Sequence, residues 1–299
     1  MRRSLLLLLF VIPVVLTACA PGTAPRVLAP TFTVLTDGTG FQYVDPPGVG
    51  DGAAVFDVHL RATNPNPGGI TLTSLDGDFY LGGHRAAATT FRKGIDLPAR
   101  GSSDLTLEVR VPLTQAPALV QTLAGLVGGA STSYRVDATV GVRILGTTQR
   151  FPTVTLARGT ARWSLSWYAP EIRLADSGTT LRVDGLTHAV LELPATLHNP
   201  ARLGYVVEAP TVQLALNGVH VATLRLSRIA APAGETVPVT LSFSFNPLQL
   251  GPAIASQVTA VAGGVGNLSF RVSGPLSLQA PGIASHSYGA TALLSGTVR

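Results

Sequence analysis

The sequence is poor in sulfur, in lysine and in charge. Cys19 and Met1 are the whole sulfur complement of 299 residues. With one thiol the chain can form no internal disulfide, and a cysteine-based zinc site is excluded. Lys93 is the only lysine among 21 basic residues; the rest are arginines, scattered along the chain. That is the bias of GC-rich coding, and it lacks the one-faced basic footprint of a nucleic-acid binder, so no nucleic-acid partner is expected. Charged residues make up 12% and hydrophobic ones 46%, which excludes a disordered chain. Mean hydropathy is +0.36, yet only one segment is apolar enough to enter a bilayer, which rules out a polytopic membrane protein.

What is abundant is glycine (32) and proline (22), with few long helical patterns. This favours an all-β protein, and the length allows about two domains, at roughly 100–200 residues each. The apolar segment is N-terminal. Arg2-Arg3 is a basic start, Leu5 to Val15 an apolar run, and Leu16-Thr17-Ala18-Cys19 follows. The run is too short to span a bilayer, which takes about 20 residues, and suits a secretory signal. An aliphatic residue and two small ones before cysteine resemble the bacterial lipobox. The resemblance implies a signal peptide over 1–18, cleavage before Cys19 and diacylglycerol on its thiol. Residues 19–29 (Pro-rich, without apolar periodicity) read as lipidated N-terminus and tether. The expected location is the cell envelope, periplasmic or outer face, with the membrane as partner through the lipid anchor.

The remainder repeats itself. Ala54 to Pro65 (AVFDVHLRATNP) returns as Ala189 to Pro200 (AVLELPATLHNP), an offset of 135. Leu105, Leu107, Val109 and Val111 return as Val239, Leu241, Phe243 and Phe245. Both runs alternate with polar residues, the period of a half-buried strand. Leu119, Leu123, Leu126 and Val127 follow helical spacing, between Pro117 and Gly128-Gly129, and Ile254, Val258 and Val261 echo them. The expected architecture is two tandem β-sandwiches with one helix each, over 30–162 and 170–299. A linker, 163–169, would pack Trp163 and Trp167 between them.

Each copy runs through apolar strand, Asn-Pro, alternating strand, glycine turn, and a second alternating strand. The Asn64-Pro65-Asn66 turn is its most specific element; the second copy keeps Asn199-Pro200 but continues with Ala201. This pattern resembles the WHy (water stress and hypersensitive response) domain of the type-2 late embryogenesis abundant family. The resemblance implies a Greek-key, fibronectin III-like sandwich and a role in stress protection. For the Asn-Pro turns a structural role is favoured, since Asn caps a turn and Pro presets φ.

No motif for catalysis stands out. The six histidines lack metal-ligand spacing, and no Gly-x-Ser-x-Gly elbow occurs. Gly48 to Gly52 reads as a flexible turn, and Asp76-Gly77-Asp78 as a hairpin turn rather than a calcium loop. The expectation is therefore a protein with no catalytic residues, metal, cofactor or small-molecule substrate. It would protect stress-labile client proteins from aggregation during desiccation or oxidative stress. The alternative is an envelope scaffold or carrier that holds lipid or protein, with lipid between helix and sheet against Leu119, Leu123, Ile254 and Val258. The missing sulfur suits oxidative conditions; codon bias explains it equally.

Overall fold

The computed structural model describes residues 27–299 apart from 116, 163, 164, 177 and 186. The signal segment, Cys19 and Trp163 lie outside the described residues. The chain is all-β, with 62% of the described residues in strands. Its first half forms β1 (Thr31–Val34), β2 (Gly40–Val44), β3 (Ala53–Thr63), β4 (Ile70–Leu81), β5 (His84–Phe91), β6 (Ile95–Leu97) and β7 (Ser102–Pro112). Helix α1 (Pro117–Val127), β8 (Thr132–Ile144) and β9 (Thr147–Ala161) complete that half. The second half forms β10 (Glu171–Leu174), β11 (Thr180–Asp184), β12 (His188–His198), β13 (Tyr205–Leu216), β14 (Val219–Ala231), β15 (Thr236–Phe245), α2 (Pro252–Ala262), β16 (Leu268–Ala280) and β17 (Ala284–Val298).

In the first half β3 is flanked by β7 on one edge and by β1 and β2 in succession on the other. The opposing sheet has β4 between β8 and the pair β5 and β6, with β9 outside β8. The second half repeats this strand for strand, with β14 in place of β5 and β6. All the sheet pairings are antiparallel, and the chain crosses between sheets at β3–β4, β6–β7 and β7–β8, as sandwich connections do.

The alternation read from sequence decides which side chains face inward. Leu105, Leu107, Val109 and Val111 are buried while their β7 neighbours are exposed or half-buried. On β8, Tyr134, Val136, Ala138, Val140 and Val142 point the same way. At the centre of the first core Phe56 meets Phe41 edge-on at 5.2 Å and Phe79 at 5.0 Å. Helix α1 adds Leu119, Leu123 and Leu126 to the same core, and α2 adds Val258 and Val261 to the second. Leu119, Leu123 and Val258 are thereby sealed inside, so the groove that the lipid-carrier alternative required has lost most of its lining.

Two expectations are corrected. Asp76-Gly77-Asp78 is no hairpin turn but the middle of β4. Its carboxylates alternate outward to pair with Arg92 and Arg85, while Gly77 lets β8 come close. The Gly48–Gly52 segment is no free turn either, because Val49 is fully buried and the loop receives the other half of the molecule.

Candidate functional site

Asn64 sits at the end of β3, fully buried, and its side chain makes five hydrogen bonds to four residues. Nδ2 donates to the carbonyls of Gly68 (2.9 Å), Leu97 (3.2 Å) and Pro98 (3.0 Å). Oδ1 accepts from the Asn66 backbone N–H and from Asn66 Nδ2, both at 2.9 Å. Asn199 repeats the arrangement: Nδ2 donates to Leu203 and Ala231 carbonyls at 3.0 Å, and Oδ1 accepts the Ala201 N–H at 2.9 Å. Pro65 and Pro200 follow directly, where a preset φ turns the chain from one sheet to the other. Both turns are thus fastened to the strand segment that passes beside them.

The two turns differ in what they hold. Asn66 grips the incoming N-terminal segment: the Leu28 N–H donates to Asn66 Oδ1 at 2.8 Å and Asn66 Nδ2 returns a bond to the Leu28 carbonyl at 2.9 Å. Ala201 can make no such clamp. Its turn instead docks onto the far end of the first sandwich. The Val44 N–H donates to the Arg202 carbonyl and the Gly204 N–H to the Val44 carbonyl, both at 2.8 Å. Leu203, Ala280 and Ile283 join the first hydrophobic core, and Trp167 packs against both cores while stacking on His286. The halves are stacked head to tail, with the Asn-Pro end of the second on the opposite end of the first.

Asp45 lies in that seam. Its Oδ1 accepts the Ala233 N–H at 2.9 Å, and a Cβ on Gly50 or Gly204 would collide with the carboxylate. Burial pushes its pKa up to about 6, backed by the nearby Asp51 and Glu235 charges and partly offset by backbone hydrogen bonds. The three carboxylates and Tyr43 line a cleft of about 400 Å³. Among the described residues no group of three His, Cys, Asp or Glu could hold a metal ion.

A second feature occurs twice. A shallow cleft of about 490 Å³ on β4, β8 and β9 has a counterpart of about 690 Å³ on β13, β16 and β17. Ser133, Arg135 and Thr160 in one match Ser269, Arg271 and Thr297 in the other. The glycines have a packing reason: a Cβ on Gly159 would meet the Tyr134 ring, and one on Gly296 the Phe270 ring. Arg135 is spoken for in the first cleft, lying 4.3 Å over the Tyr80 ring and 2.8 Å from Asp137. In the second, Ala215 stands where Tyr80 would be. Sequence reading missed both the seam and the clefts. The signal for the seam was the unequal connection before β3 and β12, eight residues against three.

Residues 59–154 match the LEA_2 family model, described as late embryogenesis abundant protein. The match supports the type-2 late embryogenesis abundant family. It lies wholly in the first half and runs from β3 into β9. Among curated proteins no match was found. Of the solved structures, a protein from Archaeoglobus fulgidus is 11% identical, covering 47% of this chain and 99% of its own, at a TM-score of 0.29. Red sea bream transglutaminase is 12% identical over 88% of this chain and 31% of its own, at 0.28. No helix among the described residues is long and apolar enough to cross a membrane.

Proposed function

We propose that the chain is a lipid-anchored, non-enzymatic protein of the cell envelope that protects stress-labile proteins from aggregation during desiccation or oxidative stress. The observation that carries this reading is the late embryogenesis abundant match over 59–154. Drying concentrates partly unfolded proteins, whose apolar surfaces and strand edges then associate. A rigid sandwich pair can shield such surfaces transiently without cofactor or ATP. Anchoring through Cys19 would raise its effective concentration near envelope clients.

The test dries a labile dehydrogenase with the chain reconstituted in liposomes, against empty liposomes with an equal mass of albumin. Several-fold higher retained activity is expected, and retention equal to albumin overturns the protective role. Cell fractionation of Cys19→Ser tests placement separately. Release from membranes or an unprocessed precursor is expected; wild-type fractionation and mobility overturn the anchor.

A further inference from the structure

We propose that the Asn64-Pro65-Asn66 end of the first sandwich is a membrane-contact face, with the Leu145-Gly146 hairpin tip seated on an anionic lipid surface. The inference rests on the lipid anchor at Cys19 proposed above and goes beyond it, because an anchor alone does not orient the protein.

The chain enters at this end. Asn66 clamps Leu28, and only residues 20–26 separate Cys19 from Val27. Nine residue steps from Cys19 to Leu28 span at most about 32 Å when fully extended. The clamp therefore keeps this end close to any membrane that holds Cys19. The opposite end is already occupied by the second sandwich.

The surface there is unusual. β8 and β9 are joined by Leu145-Gly146, with φ of 45° and 86°, both in the left-handed region. A two-residue turn of this kind strongly prefers Asn-Gly or Gly-Gly. The equivalent tight turns of this protein obey: Asn217-Gly218 at 46° and 85°, and Gly82-Gly83 at 58° and 82°. Leu145 alone puts a large apolar side chain there, and it is fully exposed. Leu28 is half-exposed at the same end. Arg143 and Leu145 line one depression with Gly69 and Pro98, and the Arg100 N–H bonds the Asn66 carbonyl. Neither arginine carries an ion pair among the described residues. The one carboxylate of that depression, Asp96, accepts from Thr71 Oγ1. An apolar knob beside free guanidiniums fits the boundary of an anionic bilayer.

The internal repeat supplies the comparison. In the second sandwich the corresponding hairpin tip, Ala280 to Ile283, is packed on the first sandwich, with the Cβ position of Gly282 only 3.1 Å from Val120 of α1. This end of the fold is covered where the molecule can cover it. A second copy is a poorer occupant than lipid. The socket that receives this end is the loop 45–52, with Asp45 and Val49 buried, and between Asp184 and His188 only three residues stand in its place.

The test uses the full lipidated chain carrying Leu145→Cys, labelled with the environment-sensitive fluorophore NBD; with Cys19 acylated, the introduced thiol is the only free one. Val265→Cys, on an exposed loop of the second sandwich, is the control. On vesicles of phosphatidylglycerol and phosphatidylethanolamine, emission at position 145 is expected to shift to the blue and iodide quenching to fall several-fold, with no change at 265. A solvent-like probe on protein that floats with the vesicles overturns the contact face and leaves the anchor standing. Protein that fails to float and keeps a free Cys19 thiol overturns both. A blue shift without vesicles, together with a doubled mass, overturns the proposal in favour of a second copy. Equal shifts on phosphatidylcholine alone overturn its anionic part. Leu145→Asn is expected to raise the melting temperature while this end loses its vesicle-dependent protection from hydrogen exchange. Unchanged protection in that variant also overturns the proposal.

Discussion

The Asp45 carboxylate of the first sandwich accepts the Ala233 backbone N–H of the second at 2.9 Å, in a seam that leaves Asp45 only 5% exposed. A carboxylate so enclosed accepts from Ala233 across the seam and forms no ion pair with a cation among the described residues. Arg110 is committed to Asp51 and Tyr43, and the Arg202 guanidinium bonds the Phe41 carbonyl. Asp51 and Glu235 face it with like charge. The closed seam therefore holds a proton on Asp45 more tightly than an open one does.

The pH dependence follows in sign. Because the pKa is raised to about 6 in the closed seam and returns toward 3.8 when it opens, closure binds protons. The stabilisation is fully present below the ordinary aspartate value and is lost as pH rises through about 6. Limited proteolysis in the segment between β9 and β10 should run slower at about pH 5 than at about pH 7.5. Asp45→Asn, which keeps the acceptor and removes the charge, should make the cleavage rate nearly independent of pH over that range. A wild-type rate that is flat across it would show that Asp45 does not govern the seam.

The Asn-Pro turns give a graded series. Asn64→Ala strips hydrogen bonds from three carbonyls and from Asn66, and should cost about 2–4 kcal/mol of unfolding free energy. Asn199→Ala, with two carbonyls and one N–H deprived, should cost slightly less. Asn66→Ala should cost about 1 kcal/mol, since its partners at Leu28 reach solvent, and should speed proteolysis before β1. Urea midpoints at constant m measure all three. An Asn66→Ala cost as large as that of Asn64→Ala would mean that the clamp, not the turn, carries the stability.

Much of the strand framework was legible because burial on one face writes itself into alternation. The Leu105–Val111 run and its repeat at Val239–Phe245 became β7 and β15, each paired along its length with the strand that ends in Asn-Pro. The helix at Leu119–Val127 was legible from its spacing and its flanking proline and glycines. Gly77 misled because Asp-Gly-Asp is turn composition, and only the approach of a neighbouring backbone explains it. Val49 misled for another reason, and Asp45 and Leu203 drew no notice for the same one. Their burial comes from the partner half, and no local period encodes a contact between residues so distant in the chain. Leu145 was illegible as a site, since a lone leucine at a turn looks ordinary until its φ and exposure are known.

Gly77 carries the last prediction. It lies on β4 opposite Ala138, where a Cβ would stand 1.9 Å from the Asp137 carbonyl oxygen and 2.5 Å from the Ala138 Cα. Both are backbone atoms of a paired strand, so no side chain can swing aside. The second sandwich has the same close approach from the other strand, with a Gly274 Cβ 2.5 Å from the Thr211 oxygen. Gly77→Ala must push β4 and β8 apart, disturbing the ladder that carries Phe79 and Val136 into the core. The expected loss is about 3 kcal/mol or more, the range of overpacking that moves backbone. Gly83→Ala is the control: its φ is +82°, but nothing lies within 4 Å, so only backbone strain remains, about 1 kcal/mol. Urea denaturation of the two variants separates spacing from strain. If Gly83→Ala proves as damaging as Gly77→Ala, the distance between β4 and β8 is not what demands glycine there.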